Sequence, residues 1–428
     1  MKNKKIIFVA TRFPYPSSSG REKTLLEYLE YIKYEYDVYF YYFDKIQASK
    51  NKTNKFKNLF NISEVHFMKT SSLKKSFLYT IYTSFIFGKK SIQESIFWNK
   101  DVHNFFQNEI LRIKPNVIFT DMIRTAQYFE DSKIFKVFDM DDVISKRYEY
   151  LLKHKESNIL GYFSDKLPKF VNLFINTILR KLILLNESKL VKKREVELVK
   201  KYDKTLLVSP VERNYFIEEF PSCRDKVFAI LPSGNIVVNN KVNVEKIDYS
   251  ISFMGLLNVP HNEKGLIYFI ENIFPILKQK IPLIHLYIIG KNATANLQKL
   301  CNLHNNNITL TGFLEDPTEL ILKTQLLIAP VYFGTGIKIK ILESMSIGIP
   351  IVTTPIGAEG LIVEDKKNIM ISKNDKEFVE NVLIIFNDKI FRDMIGNNGQ
   401  EYINIHHNPL QLKKQFLNLL EITNENTK

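Results

Sequence analysis

Short apolar runs recur along this chain, separated by longer stretches in which apolar residues return every three or four positions. The runs at Lys5–Thr11, Asp37–Phe43, Val117–Phe119, Phe135–Phe138, Leu207–Val208, Tyr249–Gly255, His285–Gly290, Ile308–Gly312, Leu326–Ala329 and Ile351–Thr353 are nearly continuous in apolar residues. Strands covered on both faces read this way. The intervening stretches have helical spacing. Arg21–Tyr34 places Leu25, Leu26 and Leu29 on one side, Glu263 to about Lys280 forms another helix, and Pro409 to about Ile422 a last one. Strand alternating with helix predicts an α/β chain with parallel, doubly wound, Rossmann-like sheets. A chain of 428 residues has room for two such units, and the boundary is expected near Ile236–Asp248.

The stretch Pro330–Leu361, PVYFGTGIKIKILESMSIGIPIVTTPIGAEGL, carries the most chemistry. Gly334, Thr335 and Gly336 follow a buried strand, where glycine lets the backbone turn sharply and a ligand come close. A helix is expected from near Ile337 to about Ile347. Its first-turn N–H groups lack internal partners and carry the positive end of the dipole, which suits an anion. Lys338 and Lys340 add charge there, Lys340 and Glu343 share a face, and Ile337, Ile341 and Met345 face a core. Gly348 and Pro350 end the helix. A second glycine loop, Gly357 to Gly360, follows the next strand. In open α/β sheets ligands bind beyond the carboxyl ends of the strands. A plain surface helix with one Lys–Glu pair would leave both glycine loops without a purpose.

This stretch resembles the donor-site signature of the group 1 glycosyltransferases, glycosyltransferase family 4. Gly334, Gly336, Lys338, Lys340, Leu342, Glu343, Met345, Gly348, Pro350, Val352, Thr354, Gly357, Glu359 and Gly360 fall on the family pattern. Upstream, Gly20 resembles the glycine of the family's first loop, Ser209 and Glu212 its Ser-x-x-Glu step, and Pro232–Asn235 its turn before the interdomain linker. The resemblance implies the GT-B architecture, two Rossmann-like domains facing across a cleft. Residues 1–240 would bind the acceptor, 241–407 the nucleotide-diphosphate sugar, and 408–428 would form a helix crossing back to the first domain. It also implies roles. Glu343 would bond the ribose hydroxyls, Lys338 and Lys340 would face the diphosphate, and Gly357, Ala358, Glu359, Gly360 and Leu361 would lie near sugar or phosphates. Gly20, Gly334, Thr335 and Gly336 complete the donor site. Many members carry Glu at the position of Thr335 and Arg at that of Leu256, so the donor sugar stays open. Lys264 is a weaker candidate for a second basic group. The implied reaction is a retaining sugar transfer that needs no cofactor beyond the donor.

Asp139, Met140, Asp141 and Asp142 admit more than one reading. As D-x-D they have the oxygen donors of a Mg²⁺ or Mn²⁺ site. The resemblance instead implies a catalytic, hydroxyl-binding or base-like role for Asp141 or Asp142. Helix capping is the structural alternative. Arg124, Gln127 and Tyr128 either line the acceptor side or lie on a helix face.

Composition changes the picture in two places. The net charge is +14, yet no basic stripe with a nucleic-acid-binding module accompanies it. The basic residues instead interleave with apolar ones at Leu73–Phe87 and Lys166–Leu185, and Lys189–Arg194 is a basic run. These segments are either ordinary helices or contacts to an anionic membrane surface, where a lipid-linked acceptor would be met. Cys223 and Cys301 are the only cysteines, which fits a reducing cytosol. No signal peptide or membrane span is read. The expected partners are a nucleotide sugar and a glycan or lipid-linked acceptor. The expected place is the cytoplasm or the inner face of the plasma membrane, in surface polysaccharide assembly. Three alternatives stand beside this reading: a metal-dependent transferase using Asp139 and Asp141, a sugar-nucleotide epimerase, and a non-catalytic basic scaffold.

Overall fold

The computed structural model describes residues 4–17, 19–44, 46–70, 73–153, 180–233, 244–334 and 336–421. Most of Lys166–Leu185, together with Thr335, Gly234 and Asn235, lies outside these. Two compact units divide the chain: Met1–Ser17, Thr24–Ile230 and Lys413–Lys428 form one, and Ser18–Lys23 with Leu231–Leu412 the other.

The first unit holds seven strands: β1 (Lys4–Ala10), β2 (Tyr36–Phe43), β3 (Ile62–Met68), β4 (Val117–Asp121), β5 (Lys136–Asp141), β6 (Lys204–Leu207) and β7 (Val227–Ala229). Their order is β3-β2-β1-β4-β5-β6-β7, and every pairing is parallel. The second unit holds β8 (Ser250–Met254), β9 (His285–Ile289), β10 (Ile308–Gly312), β11 (Leu326–Ala329), β12 (Ile351–Thr353) and β13 (Met370–Ile371), in the order β10-β9-β8-β11-β12-β13, again parallel. Both orders reverse direction once, between β1 and β4 and between β8 and β11. Such a reversal opens a crevice at the carboxyl ends of the two strands concerned.

The continuous apolar runs arise because both sheet faces are covered. In β11, Leu326 and Ile328 join one buried cluster while Leu327 and Ala329 join the cluster on the opposite face. That period of two, with each large side chain contributing about 1.5–3 kcal/mol on burial, fixes the register of the strand.

Three elements depart from the sequence-based expectation. The helix expected from Ile337 runs Ile339–Ser346, with Lys338 as its first flanking residue. The positive φ of Gly336 holds the chain in a loop for longer. The strand expected to end near Phe138 continues to Asp141, so Asp139 and Asp141 are strand residues. The helix expected as one piece to Lys280 is α-helical over Pro260–Tyr268, passes through a π turn at Phe269–Ile273 and resumes at Phe274–Lys280. Pro275 has no N–H to give to the ladder, and a wider turn just before it absorbs the missing bond.

Candidate functional site

The reversal between β8 and β11 is where the second unit gathers its polar side chains. Past β11 the chain enters the glycine loop, with Gly334 at φ 108° and Gly336 at φ 79°. Residues with a Cβ avoid both values, so this path requires glycine. The loop delivers Lys338 and Lys340. Lys338 is buried, and its Nζ donates to the Gly336 carbonyl at 2.5 Å. Lys340 Nζ donates to Asn262 Oδ1 at 2.7 Å and sits over the Phe253 ring, 4.3 Å from its centre. Asn262 in turn donates through Nδ2 to the Leu256 carbonyl at 3.0 Å, in the loop after β8. The two loops at the crevice are therefore tied together through one lysine and one asparagine.

Burial sets the electrostatics here. Loss of solvent, and then the charge of Lys338, push the Lys340 ammonium down to about 7. His261 is pushed down to about 3, by burial first and then by Lys340 and Lys338. Its ring lies against Gly334, where an added Cβ would come 3.7 Å from Nδ1. At neutral pH His261 is thus uncharged and Lys340 is poised between its two forms. Full charge on Lys340, the expectation from sequence, is corrected by this burial. An arriving anion would restore it.

Glu343 lies one helical turn beyond Lys340, with its side chain 19% exposed, and pairs with Lys23. Gly20 is grouped with the same unit, and a Cβ there would come 3.1 Å from Ile339 at the start of the helix. The second glycine loop follows β12, the neighbour of β11 in the sheet. Its amides close turns of its own: Gly357 N–H donates to Thr354 Oγ1, Ala358 to the Thr354 carbonyl, Glu359 to that of Ile356 and Leu361 to that of Ala358. Ala358 and Leu361 are buried. A cavity of about 280 Å³ opens beside this loop at the ends of β11, β12 and β13, lined by Tyr332, Thr354, Ile356, Ser372, Asp375 and Phe378 among others.

In the first unit the corresponding reversal is closed by Asp121, which accepts from Thr11 N–H at 2.7 Å and from Thr11 Oγ1 at 2.5 Å. Asp139 is fully buried and accepts from the Asp141 amide at 3.2 Å. Asp141 takes a left-handed φ of 68°, and Met122, just past β4, takes 64°. Such values in side-chain-bearing residues cost of order 1–3 kcal/mol and gather at working sites. Asp142 forms an ion pair with Arg147 at 2.9 Å. The helix beginning at Ile144 is capped by Glu195, which accepts from the Ser145 amide and hydroxyl. Gln127 and Tyr128 are interior: Gln127 holds Lys90 and the Glu94 carbonyl, and Tyr128 packs between Phe43 and Trp98. Neither lines an acceptor face. Arg124 is also buried, donating to Gln93 Oε1 at 2.9 and 2.7 Å.

Asn262, His261 and the cavity had no signal of their own in the sequence. Asn262 meets Lys340 across 78 positions, and only the sheet order brings the two loops together.

The family described as "Glycosyl transferases group 1" matches residues 248–388. An uncharacterized 44.6 kDa protein in the cps region of Klebsiella pneumoniae is 23% identical over 265 residues, 56% of this chain and 66% of that protein. An uncharacterized glycosyltransferase of Methanocaldococcus jannaschii is 25% identical over 236 residues, 52% of this chain and 59% of that protein. These matches thus span about two thirds or less of the curated relatives. Among solved structures, Anabaena HepE in complex with UDP and glucose shares the fold, with a TM-score of 0.58 at 14% identity over 98% of this chain and 99% of that one. Residues 248–388 thus resemble the group 1 glycosyltransferases, and the chain as a whole shares the fold of HepE.

Proposed function

We propose that this chain transfers a sugar from a nucleotide-diphosphate sugar to a glycan or lipid-linked acceptor, retaining the anomeric configuration and using no metal, in surface polysaccharide assembly at the inner face of the plasma membrane. The observation that carries the reading is the tie between Lys340 and Asn262 across the reversal of the second sheet, beside a glycine loop and a helix N-terminus. A diphosphate leaving group needs positive charge as the bond to the sugar lengthens, and preorganised donors supply it at low cost. In this reading Lys338, Lys340 and the first-turn amides of Ile339–Ser346 face the diphosphate, and Glu343 takes the ribose hydroxyls. The loop from Gly357 to Leu361 contributes shape more than amide donors, because four of its N–H groups already close turns. The C1–O bond breaks with its electron pair going to the diphosphate oxygen, a bond from the acceptor oxygen to C1 forms on the same face, and the hydroxyl proton passes to the departing diphosphate. The transition state resembles an oxocarbenium ion. On the acceptor side, Asp141 or Asp142 at the end of β5 contacts a hydroxyl. HepE, solved with UDP and glucose, and the Klebsiella relative from a cps region support the donor class and the setting.

Titration calorimetry with UDP-, GDP-, ADP- and CDP-sugars, with and without EDTA, tests this. One nucleotide class binds and EDTA leaves its affinity unchanged. Glu343→Ala weakens it about 10- to 100-fold, the value of a lost hydrogen bond to a charged group. Absence of binding to all four sinks the reading. EDTA-sensitive turnover would move the chemistry to a metal, and conversion of donor without acceptor would make the chain an epimerase.

A further inference from the structure

The helix Leu73–Thr80 and the π turn Ile81–Ile86 that continues it are built inside out. Apart from Tyr79, which stacks on Trp98, the face turned to the protein is small and polar. Ser76, Thr80, Thr83 and Ser84 are buried. Thr83 and Ser84 bond Ser95 at 2.8 and 3.1 Å, and Thr80 bonds back to the Ser76 carbonyl at 2.8 Å. The face turned away is apolar. Phe77, Leu78, Tyr82, Phe85, Ile86 and Phe87 are all exposed, Leu78 to 68% and Ile86 to 66%. A surface helix ordinarily buries its apolar stripe and leaves the polar one in water. With Ile81, which is also exposed, seven large side chains are left out within eleven residues. They expose an area on the order of 500 Å², at the upper end of what a monomer leaves bare.

The charge along this segment has one sign. From Val65 to Gln93 the sequence has five lysines, Lys69, Lys74, Lys75, Lys89 and Lys90, and no Asp or Glu. Lys69 and Lys89, at the two ends of the segment, are exposed. Lys90 turns inward to Gln127 and the Trp98 ring. We infer that the segment Leu73–Phe87 is an interfacial anchor that lays its aromatic and aliphatic face into an anionic lipid bilayer, with lysines at either end meeting the headgroups. Aromatic side chains favour that boundary, and each nearby lysine adds about 1 kcal/mol on an anionic surface. A second copy of the chain fits less well. A two-fold contact would set this acid-free, lysine-bearing segment against itself. The surface stands independently of the transferase reading, since lipid binding is read without donor or acceptor.

Cosedimentation of the full chain with vesicles of phosphatidylcholine, with and without phosphatidylglycerol, tests the anchor. Wild type binds the anionic vesicles, more weakly at high salt, and binds neutral ones less. Phe77→Ser/Phe85→Ser/Phe87→Ser lowers partitioning at least about tenfold, as losing three inserted rings requires. Its nucleotide affinity stays unchanged, because all three side chains are exposed on the first unit and none belongs to the glycine loops of the second. Lys69→Glu/Lys89→Glu loses affinity for anionic vesicles only, and serves alone should the triple variant misfold. Three results overturn the proposal: no binding of wild type to anionic vesicles, equal binding by the variants, or a wild-type dimer that the triple variant splits into monomers. The last would hand the face to a second copy.

Discussion

Lys340 shows how one residue can be named by sequence and yet understood only in place. Its spacing after Gly336 and before Glu343 marks it as a phosphate-facing cation. The sequence has no means of showing that Asn262 would hold it or that burial would bring it down to about 7. That shift has a sign that can be tested. Between about 7 and the ordinary lysine value of 10.5, the unfolded chain keeps a proton that the folded chain has shed. Stability therefore rises with pH across that window, and the penalty of a buried charge is fully present below it. Relative to Lys340→Met, wild type gains about 3 kcal/mol between pH 7 and pH 10, read by thermal unfolding at several pH values. A flat difference would mean that Lys340 stays charged throughout. Binding of a nucleoside diphosphate works the other way. The phosphates raise the ammonium, so at pH 7.5 to 8 the complex takes up part of a proton, by about the same linkage. Calorimetry in buffers of different ionisation enthalpy measures that uptake, and Lys340→Met abolishes it.

At the scale of elements, the strands were the legible part. Each is a continuous apolar run because each is covered on both faces, and that pattern survives without knowledge of its neighbours. Helices were legible in existence and less so in detail. Nothing local told that Pro275 would widen the preceding turn or that Ile337 would stay outside the helix. The segment Leu73–Phe87 was ambiguous for a deeper reason: an apolar run has the same composition whether its large side chains point in or out. Only Ser95, meeting Thr83 and Ser84, decides the face. Gly265 gives a test at this scale. It lies within the helix Pro260–Tyr268, where Ala is ordinarily favoured by about 1 kcal/mol. Here a Cβ would fall 1.9 Å from the Pro330 carbonyl oxygen, at the start of the loop that follows β11. Gly265→Ala therefore destabilises by about 1–3 kcal/mol, the usual cost of overpacking, in place of stabilising. It also moves the two crevice loops apart and weakens nucleotide binding. Denaturant unfolding and calorimetry on the one variant read both effects. An Ala variant as stable as wild type would mean that the helix and loop separate without cost.

The whole chain is organised so that neither unit is a single continuous stretch of sequence. The first unit takes in Met1–Ser17, Thr24–Ile230 and then Lys413–Lys428, so its own packing waits for the last helix, Pro409–Leu420. Phe416 on that helix is fully buried. Its ring stacks on Tyr28 with centroids 4.5 Å apart and meets Phe119 of β4 at 5.7 Å. Tyr28 in turn meets Phe119 at 5.8 Å, and Phe119 stacks on Phe8 of β1 at 4.6 Å. The last helix is thus joined by an aromatic chain to the two strands that flank the first sheet's reversal. Two further contacts hold it, Lys204 Nζ to the Asn418 carbonyl at 3.3 Å and to the Glu421 carbonyl at 3.0 Å. These are solvent-exposed and contribute little beside the ring burial. Phe416→Ala should therefore cost about 3–5 kcal/mol, the range for emptying a buried phenyl site. The loss should fall on the first unit alone. In a calorimetric scan that resolves two transitions, the one assigned to the first unit moves down, while the one raised by added nucleotide keeps its position. A single transition that moves as a whole would show that the two units unfold together. A scan unchanged by the substitution would show that the last helix adds nothing to the first unit's core.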